Sequence, residues 1–138
     1  MTNSKNTKPF YNTTIPFDWD VKTLGDLGKP IIGLTYSPED VVEEGNGTLV
    51  LRSSNVQGST IVFDNNVYVK CDVPARAKVK YGDILICVRN GSRSLIGKSA
   101  RIDERCKGMA FGAFMSVFRS EFNDTYIKFF NLEYFRRK

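Results

Sequence analysis

The sequence contains no histidine, three cysteines and one tryptophan in 138 residues. Without histidine, the hydrolase sites that use imidazole as a general base or a zinc ligand are excluded. The cysteines, Cys71, Cys87 and Cys106, are an odd number and include no C-x-x-C pair, so neither a disulfide framework nor a zinc site is predicted. We therefore expect no catalytic residue, no metal site and no cofactor.

Long apolar runs are also missing. The longest, residues 84–88 and 109–117, are far shorter than the roughly 20 residues that cross a bilayer. The first eight residues are polar and lack the apolar region of a secretory signal peptide. These absences predict a cytoplasmic protein without a membrane partner.

The composition is that of a folded chain, with 41% hydrophobic and 25% charged residues. Its length is typical of one domain. Residues 1–14 are rich in asparagine, threonine and lysine and show no apolar periodicity, which predicts a flexible leader. Residues 15–138 are then expected to form a single domain.

The positive charge is concentrated in one part of the chain. The formal net charge is +5, but residues 76–107 alone hold nine Lys and Arg against three Asp and Glu. Such a stretch attracts a polyanion if the fold places its cations on one face. A solvated face without a ligand is the alternative.

Short apolar or alternating segments separated by polar turns predict strands. They are residues 48–54, 61–63, 67–69, 84–88, 95–102 and 110–118. Short helical turns are expected at 24–27 and 37–40, and residues 124–135 have the apolar period of a helix. The predicted fold class is α+β: a curved, mostly antiparallel sheet or partial barrel, with short helices and a C-terminal helix.

One motif imitates a phosphate-binding loop. Gly97-Lys98-Ser99 follows the strand at 84–88, but Ser92 stands where the loop needs its first glycine. A nucleotide-hydrolysing site is therefore not predicted.

Polar clusters at two predicted strand ends suit DNA instead. Arginine can bind guanine or phosphate, asparagine can pair with adenine, and serine can donate to either. A polar turn that satisfies its own backbone is the alternative for each cluster. The first cluster with its flanking cations is Arg89, Asn90, Ser92, Arg93, Ser94, Lys98 and Arg101, and the second is Arg52, Ser53 and Asn55.

Seven segments in order closely resemble the target recognition domain of the specificity subunit of type I restriction-modification systems, over about residues 15–135. They are Trp19 with Leu24-Gly25-Asp26-Leu27, Ile32-Gly33-Leu34-Thr35-Tyr36-Ser37, Leu51-Arg52-Ser53-Ser54-Asn55-Val56, Gly82-Asp83-Ile84-Leu85-Ile86, Arg89-Asn90-Gly91-Ser92, Leu95-Ile96-Gly97-Lys98-Ser99-Ala100 and Ala110-Phe111-Gly112-Ala113-Phe114-Met115. Tyr36, within the second segment, joins the predicted DNA contacts.

The resemblance implies a non-catalytic module that reads one half of a bipartite duplex DNA target. It also implies methyltransferase subunits and a restriction subunit as partners in the full complex. The chain has one such domain and lacks the long spacer helices of the family, so we expect it to correspond to the amino-terminal half of a longer subunit.

Two other functions remain open on the sequence alone. The aromatic C-terminal helix could dock a protein partner or a second copy of the chain, with DNA binding incidental. A small nuclease is the other alternative, for which the sequence offers only scattered carboxylates.

Overall fold

A computed structural model describes residues 6–21 and 23–120, and the elements in this range are mainly short strands. The strands are β1 (Thr7–Phe10), β2 (Thr13–Pro16), β3 (Gly28–Ile32), β4 (Val41–Val42), β5 (Thr48–Leu51), β6 (Val56–Gln57), β7 (Thr60–Ile61), β8 (Val67–Val69), β9 (Ile84–Cys87), β10 (Ser99–Arg101), β11 (Ala110–Phe111) and β12 (Met115–Ser120). The helices are one α-helical turn, α1 (Leu24–Leu27), and 3-10 turns at Pro38–Asp40, Ser53–Asn55, Ala75–Ala77, Arg93–Leu95 and Glu104–Cys106.

The strands form two four-stranded sheets and two hairpins. The first sheet has the order β10-β9-β12-β3 and is antiparallel throughout. The second has the order β11-β5-β8-β4, in which only the β11–β5 pair is parallel. The predicted sheet structure, mostly antiparallel with few helices, is confirmed, and no sheet in the described range closes into a barrel. The predicted helix at 124–135 lies outside the described residues.

The hydrophobic core lies between the two sheets. β9 is the strand predicted to be covered on both faces, and it lies between β10 and β12. Its Leu85 and Cys87 pack with Val117 of β12 and with Leu51 and Phe111 of the second sheet, and all five side chains are fully buried. Both sheets contribute side chains to one cluster, so separating the sheets would expose the inner face of each.

Backbone hydrogen bonds join the two sheets near residue 112. Leu34 N–H donates to the Phe111 carbonyl at 2.7 Å, and Ala113 N–H donates to the Leu34 carbonyl at 2.9 Å. Gly112 N–H donates to the Leu51 carbonyl of β5 at 3.0 Å. Gly33 makes this approach possible, since a Cβ there would lie 2.1 Å from the Gly112 carbonyl oxygen. We call this contact the sheet junction.

A buried ion pair ties β12 to the start of β9. Arg119 donates from Nε and Nη2 to the two oxygens of Asp83, at 2.9 and 2.8 Å, and the Asp83 side chain is 2% exposed. The side-chain hydrogen bond to Asp83 raises the pKa of Arg119, so the guanidinium stays charged. The backbone N–H of Lys80 also donates to Asp83, at 2.7 Å, which satisfies the buried carboxylate further.

Several local predictions need correction. The strand predicted at 48–54 ends at Leu51, before the 3-10 turn at Ser53–Asn55, and the one predicted at 61–63 is β7, Thr60–Ile61. Part of the predicted flexible leader is a hairpin, because β1 pairs with β2 across a turn at Tyr11, whose φ is 53°. The strand predicted at 95–102 is shortened to β10, since a 3-10 turn occupies Arg93–Leu95. The strand predicted at 110–118 is divided into β11 and β12 by a turn at 112–115.

Within the two described ranges, 6–21 and 23–120, no helix has the length and apolar character needed to span a membrane.

Gly33→Ala should destabilise the protein because the new methyl group collides with backbone atoms that cannot move away. We expect a loss of about 1–3 kcal/mol in the free energy of unfolding, measured by urea denaturation. Gly91→Ala is the matched control, since no atom lies within 4 Å of the Cβ position there. Equal stability of the two variants would contradict the close approach at the sheet junction.

Candidate nucleic-acid interface

A groove of about 860 Å³ lies beside the sheet junction and collects residues from distant parts of the chain. Segments that follow β3, β5, β9 and β11 contribute to its walls. Six of the predicted DNA contacts line it: Tyr36, Arg52, Ser53, Arg89, Asn90 and Lys98. No Asp or Glu is among the described residues that line the groove.

Arg52 directly follows β5 and forms part of the groove wall. Its side chain is half-buried, and Nη2 donates to the Asn65 carbonyl, which fixes the guanidinium against the opposite loop. Its Nε is buried and has no hydrogen-bond partner in the described structure. The guanidinium is thus held in place at the groove while part of its donor capacity is unused.

Asn90 connects the ends of β9 and β5. Its Nδ2 donates to Ser53 Oγ at 3.1 Å, and its Oδ1 accepts from Ser92 N–H at 2.9 Å. Asn90 therefore lines the groove but already uses both ends of its amide within the protein. The expected bidentate pairing with adenine would require these two bonds to break, so in this state its role is to hold the two loops together.

The loop after Asn90 flanks the groove. Ser92, Arg93 and Ser94 are exposed, and the Ser92 and Ser94 hydroxyls are 3.0 Å apart. The loop turns through the 3-10 segment Arg93–Leu95 and returns to the groove at Leu95. Arg93 is thus outside the groove wall but next to it in the chain.

Gly97 sets the position of Lys98. Its φ of 91° is in the left-handed region that favours glycine, and its N–H donates to the Cys87 carbonyl at 2.7 Å. Cys87 N–H in turn donates to the Lys98 carbonyl at 3.0 Å. Lys98 also lines a smaller depression of about 300 Å³ beside the β6–β7 turn, so it lies between the two concavities.

Asn55 does not belong to this surface. Its side chain is fully buried: Oδ1 accepts from Arg52 N–H at 2.9 Å, and Nδ2 donates to the Val62 carbonyl at 2.9 Å and to Asn66 Oδ1 at 3.0 Å. The prediction of Asn55 as a DNA contact is corrected, because a polar residue at a strand end can equally close the turn that follows it. Its function is to shape the loop that carries Arg52.

Arg101 is also separate from the groove. It pairs with Ile84, the first residue of β9, whereas Arg89 lies two residues after the other end of that strand. Its guanidinium lies 5.0 Å from the centre of the Tyr81 ring. The structure therefore does not bring Arg101 to the groove, and its contact with DNA stays a prediction.

Other cations of the basic stretch have structural partners. Arg76 donates to the Ile32 carbonyl at 2.6 Å, and Arg105 donates to the Ile61 carbonyl at 3.0 Å. Arg105 also pairs with Asp103, and the side-chain hydrogen bond from Arg105 lowers the pKa of Asp103. The charge counted along the sequence is thus divided between the groove and distant parts of the fold.

Sequence reasoning missed the apolar part of the groove. Leu34, Met115 and Phe114 line it together with the cations, and Phe114 is 63% exposed. The sequence feature that could have indicated this surface is the pair of small residues Gly112-Ala113, which mark the turn between β11 and β12.

Metal binding and thiol chemistry receive no support from the described residues. Across 6–21 and 23–120, no group of three or more Cys, Asp or Glu side chains is arranged to hold a metal ion. Cys87 and Cys106 are buried, and burial raises the pKa of the Cys106 thiol, which keeps it protonated.

Comparisons with known proteins point to one group. No protein-family model matches the chain. It is 29% identical over 130 residues to the type I restriction enzyme StySPI specificity subunit of Salmonella potsdam, a match covering 89% of this chain and 27% of the relative. It is 30% identical over 112 residues to the EcoKI specificity subunit of Escherichia coli K12, covering 78% and 24%. The chain therefore spans about a quarter of the length of these curated relatives.

One solved structure agrees with these matches in fold. The crystal structure of the HsdS subunit from Thermoanaerobacter tengcongensis superposes with a TM-score of 0.66 at 18% identity, covering 96% of this chain and 31% of that one.

Asn55→Ala should destabilise the fold by about 2–3 kcal/mol, because it leaves the Arg52 N–H and the Val62 carbonyl without a buried partner. Urea denaturation measures the change. Gln57→Ala is the control, since Gln57 is exposed and its side chain makes one hydrogen bond, to the Ser54 carbonyl. A loss no greater than that of the control would show that Asn55 is not a structural residue.

Proposed function

We propose, from the premise that this chain is a relative of the specificity subunits of type I restriction enzymes, that it reads one half of a bipartite duplex DNA target. It does so without catalysing a reaction. The observation that carries this proposal is the groove in which Arg52, Arg89 and Lys98 converge and which no Asp or Glu of the described residues lines. The exposed loop with Ser92, Arg93 and Ser94 lies along its edge.

The electrostatics of the groove suit a phosphate backbone. Each cation that neutralises a phosphate releases a condensed counterion, and this release supplies much of the binding free energy at low salt. Tyr36 and Ser53 add hydroxyl groups at the same surface, which can bind phosphate oxygens or base edges. Lys98 then positions the duplex, and Arg89 and Arg93 contact bases from the exit of β9.

The size of the groove limits what it reads. A few loop residues reach about three or four base pairs, and each mismatch costs about 1–3 kcal/mol. Such a half-site is too frequent in a genome to act alone, so a second recognition domain has to supply the other half. Methyltransferase subunits and a restriction subunit complete the assembly that we propose, in the cytoplasm.

The competing interaction function depends on the aromatic segment after residue 120, which lies outside the described residues. No observation on the described surface favours it over DNA, and self-association through that segment stays a prediction.

Binding to duplex DNA should weaken steeply with salt. On a duplex pool that has not been enriched for a target, the three groove cations, Arg52, Arg89 and Lys98, bind phosphates rather than bases, so the slope of log affinity against log salt concentration should be about −3. Fluorescence anisotropy of a labelled duplex pool between low and physiological salt measures it. A slope shallower than about −2 would contradict the proposal.

Lys98→Ala and Arg93→Ala should change DNA binding in different ways. Loss of Lys98 removes a phosphate contact and weakens binding to all duplexes alike, whereas loss of Arg93 relaxes the preference at one base position. Fluorescence anisotropy of the unselected duplex pool measures the uniform loss of affinity, and selection from a random duplex pool measures the change in preference. Lys107→Ala is the control, because Lys107 is exposed and lines a separate depression with Tyr81 and Gly108. An affinity of Lys98→Ala equal to that of Lys107→Ala would remove Lys98 from the site, and an unchanged selection profile of Arg93→Ala would remove Arg93.

A further inference from the structure

Phe114 is the apolar residue that the function so far leaves unexplained. Its side chain is 63% exposed, although it lies in a groove with Arg52, Arg89 and Lys98. An exposed phenylalanine in a cationic groove can contact an apolar part of a ligand whose anionic groups bind the neighbouring cations.

Hydrogen bonds fix the backbone from which this ring projects. Phe114 is in the turn of residues 112–115, closed by Met115 N–H donating to the Gly112 carbonyl at 3.0 Å. The preceding Ala113 N–H donates to Leu34 at the sheet junction. The Phe114 carbonyl then accepts from both Val88 N–H and Arg89 N–H, each at 3.1 Å.

These bonds couple the ring to the polar side chains at the exit of β9. Arg89 is bound directly to the Phe114 carbonyl, and Asn90 is the next residue. The backbones of Phe114 and Arg89 are therefore fixed relative to each other, so the ring and the guanidinium start from neighbouring points of the groove. A phenylalanine has only two side-chain torsions to order, so it costs little entropy on binding.

The groups that each base presents in the major groove indicate which base the ring contacts. Arginine recognises base edges mainly in the major groove, where G, C and A present only donors and acceptors. Thymine alone adds an apolar group there, its C5-methyl. A phenylalanine next to a base-reading arginine thus matches one base.

We propose that Phe114 is a specificity-determining residue that contacts the C5-methyl group of a thymine in the major groove. This inference rests on the proposed DNA-reading function and adds to it the identity of one base and the residue that reads it.

The test removes the methyl group alone. A target is first enriched from a random duplex pool with the full chain, and each thymine in it is then replaced singly by deoxyuracil. We expect one replacement to weaken binding about fourfold, the effect of leaving one methyl group unburied. This series on the unchanged protein does not depend on any variant folding.

The variant identifies the residue responsible. Phe114→Ala should weaken binding to the thymine duplex by about fourfold or more, and deoxyuracil at the sensitive position should then cause no further loss. Phe17→Ala is the matched control: Phe17 is also 63% exposed but does not line the groove, so this variant should keep the full deoxyuracil effect.

Several results would overturn the inference. They are an enriched target without thymine, no sensitivity to deoxyuracil, or an unchanged deoxyuracil effect in Phe114→Ala. A fluorescence increase from 2-aminopurine at the contacted step would show that the ring inserts between bases instead. If the pool yields no enriched sequence at all, the DNA-reading function fails, and the inference fails with it.

Discussion

The sheet junction is the contact on which the rest of the structure depends. There the backbone of Leu34 is bonded to both sides of Gly112, and Gly112 is bonded to Leu51 of β5. The approach is close enough that a side chain at Gly33 would overlap backbone atoms. Because this contact joins the two sheets, it also fixes the distance between the segments that leave them, and these segments form the groove.

A second set of bonds carries that constraint to the groove residues. The Phe114 carbonyl accepts from Val88 and Arg89, so the exit of β9 is tied to the turn that begins at the junction. Asn90 extends the link to Ser53 at the end of β5. Side chains from distant parts of the sequence thus gain fixed mutual positions through backbone and amide bonds, and base edges require such precision.

The sequence predicted the elements whose signal is local. The apolar run at β9 and the turn after Ser37, where Ser37 N–H donates to Asp40 Oδ2 at 2.9 Å, are where periodicity and capping place them. The strand predicted at 48–54 begins where expected but ends at Leu51. Asn55 and Arg101 show the limit of this reasoning. Each has the residue type of a DNA contact, but tertiary packing buries the first and carries the second to the far end of β9. Residue type gives the chemistry, and only the fold decides which surface receives it.

Under the proposed function, the separation of core and groove affects how a domain of this kind could change the DNA sequence that it reads. Leu85 and Val117 stabilise the fold from inside, whereas Arg89 and Arg93 follow β9 and have exposed side chains. Substitutions at the latter positions alter charge and hydrogen-bonding groups at the groove without removing buried apolar surface, so they cost little stability. Asn55 is different, since it is polar and near the groove, yet its loss would displace the loop of Arg52. New specificities should therefore arise at the exposed strand exits and leave the buried polar network unchanged.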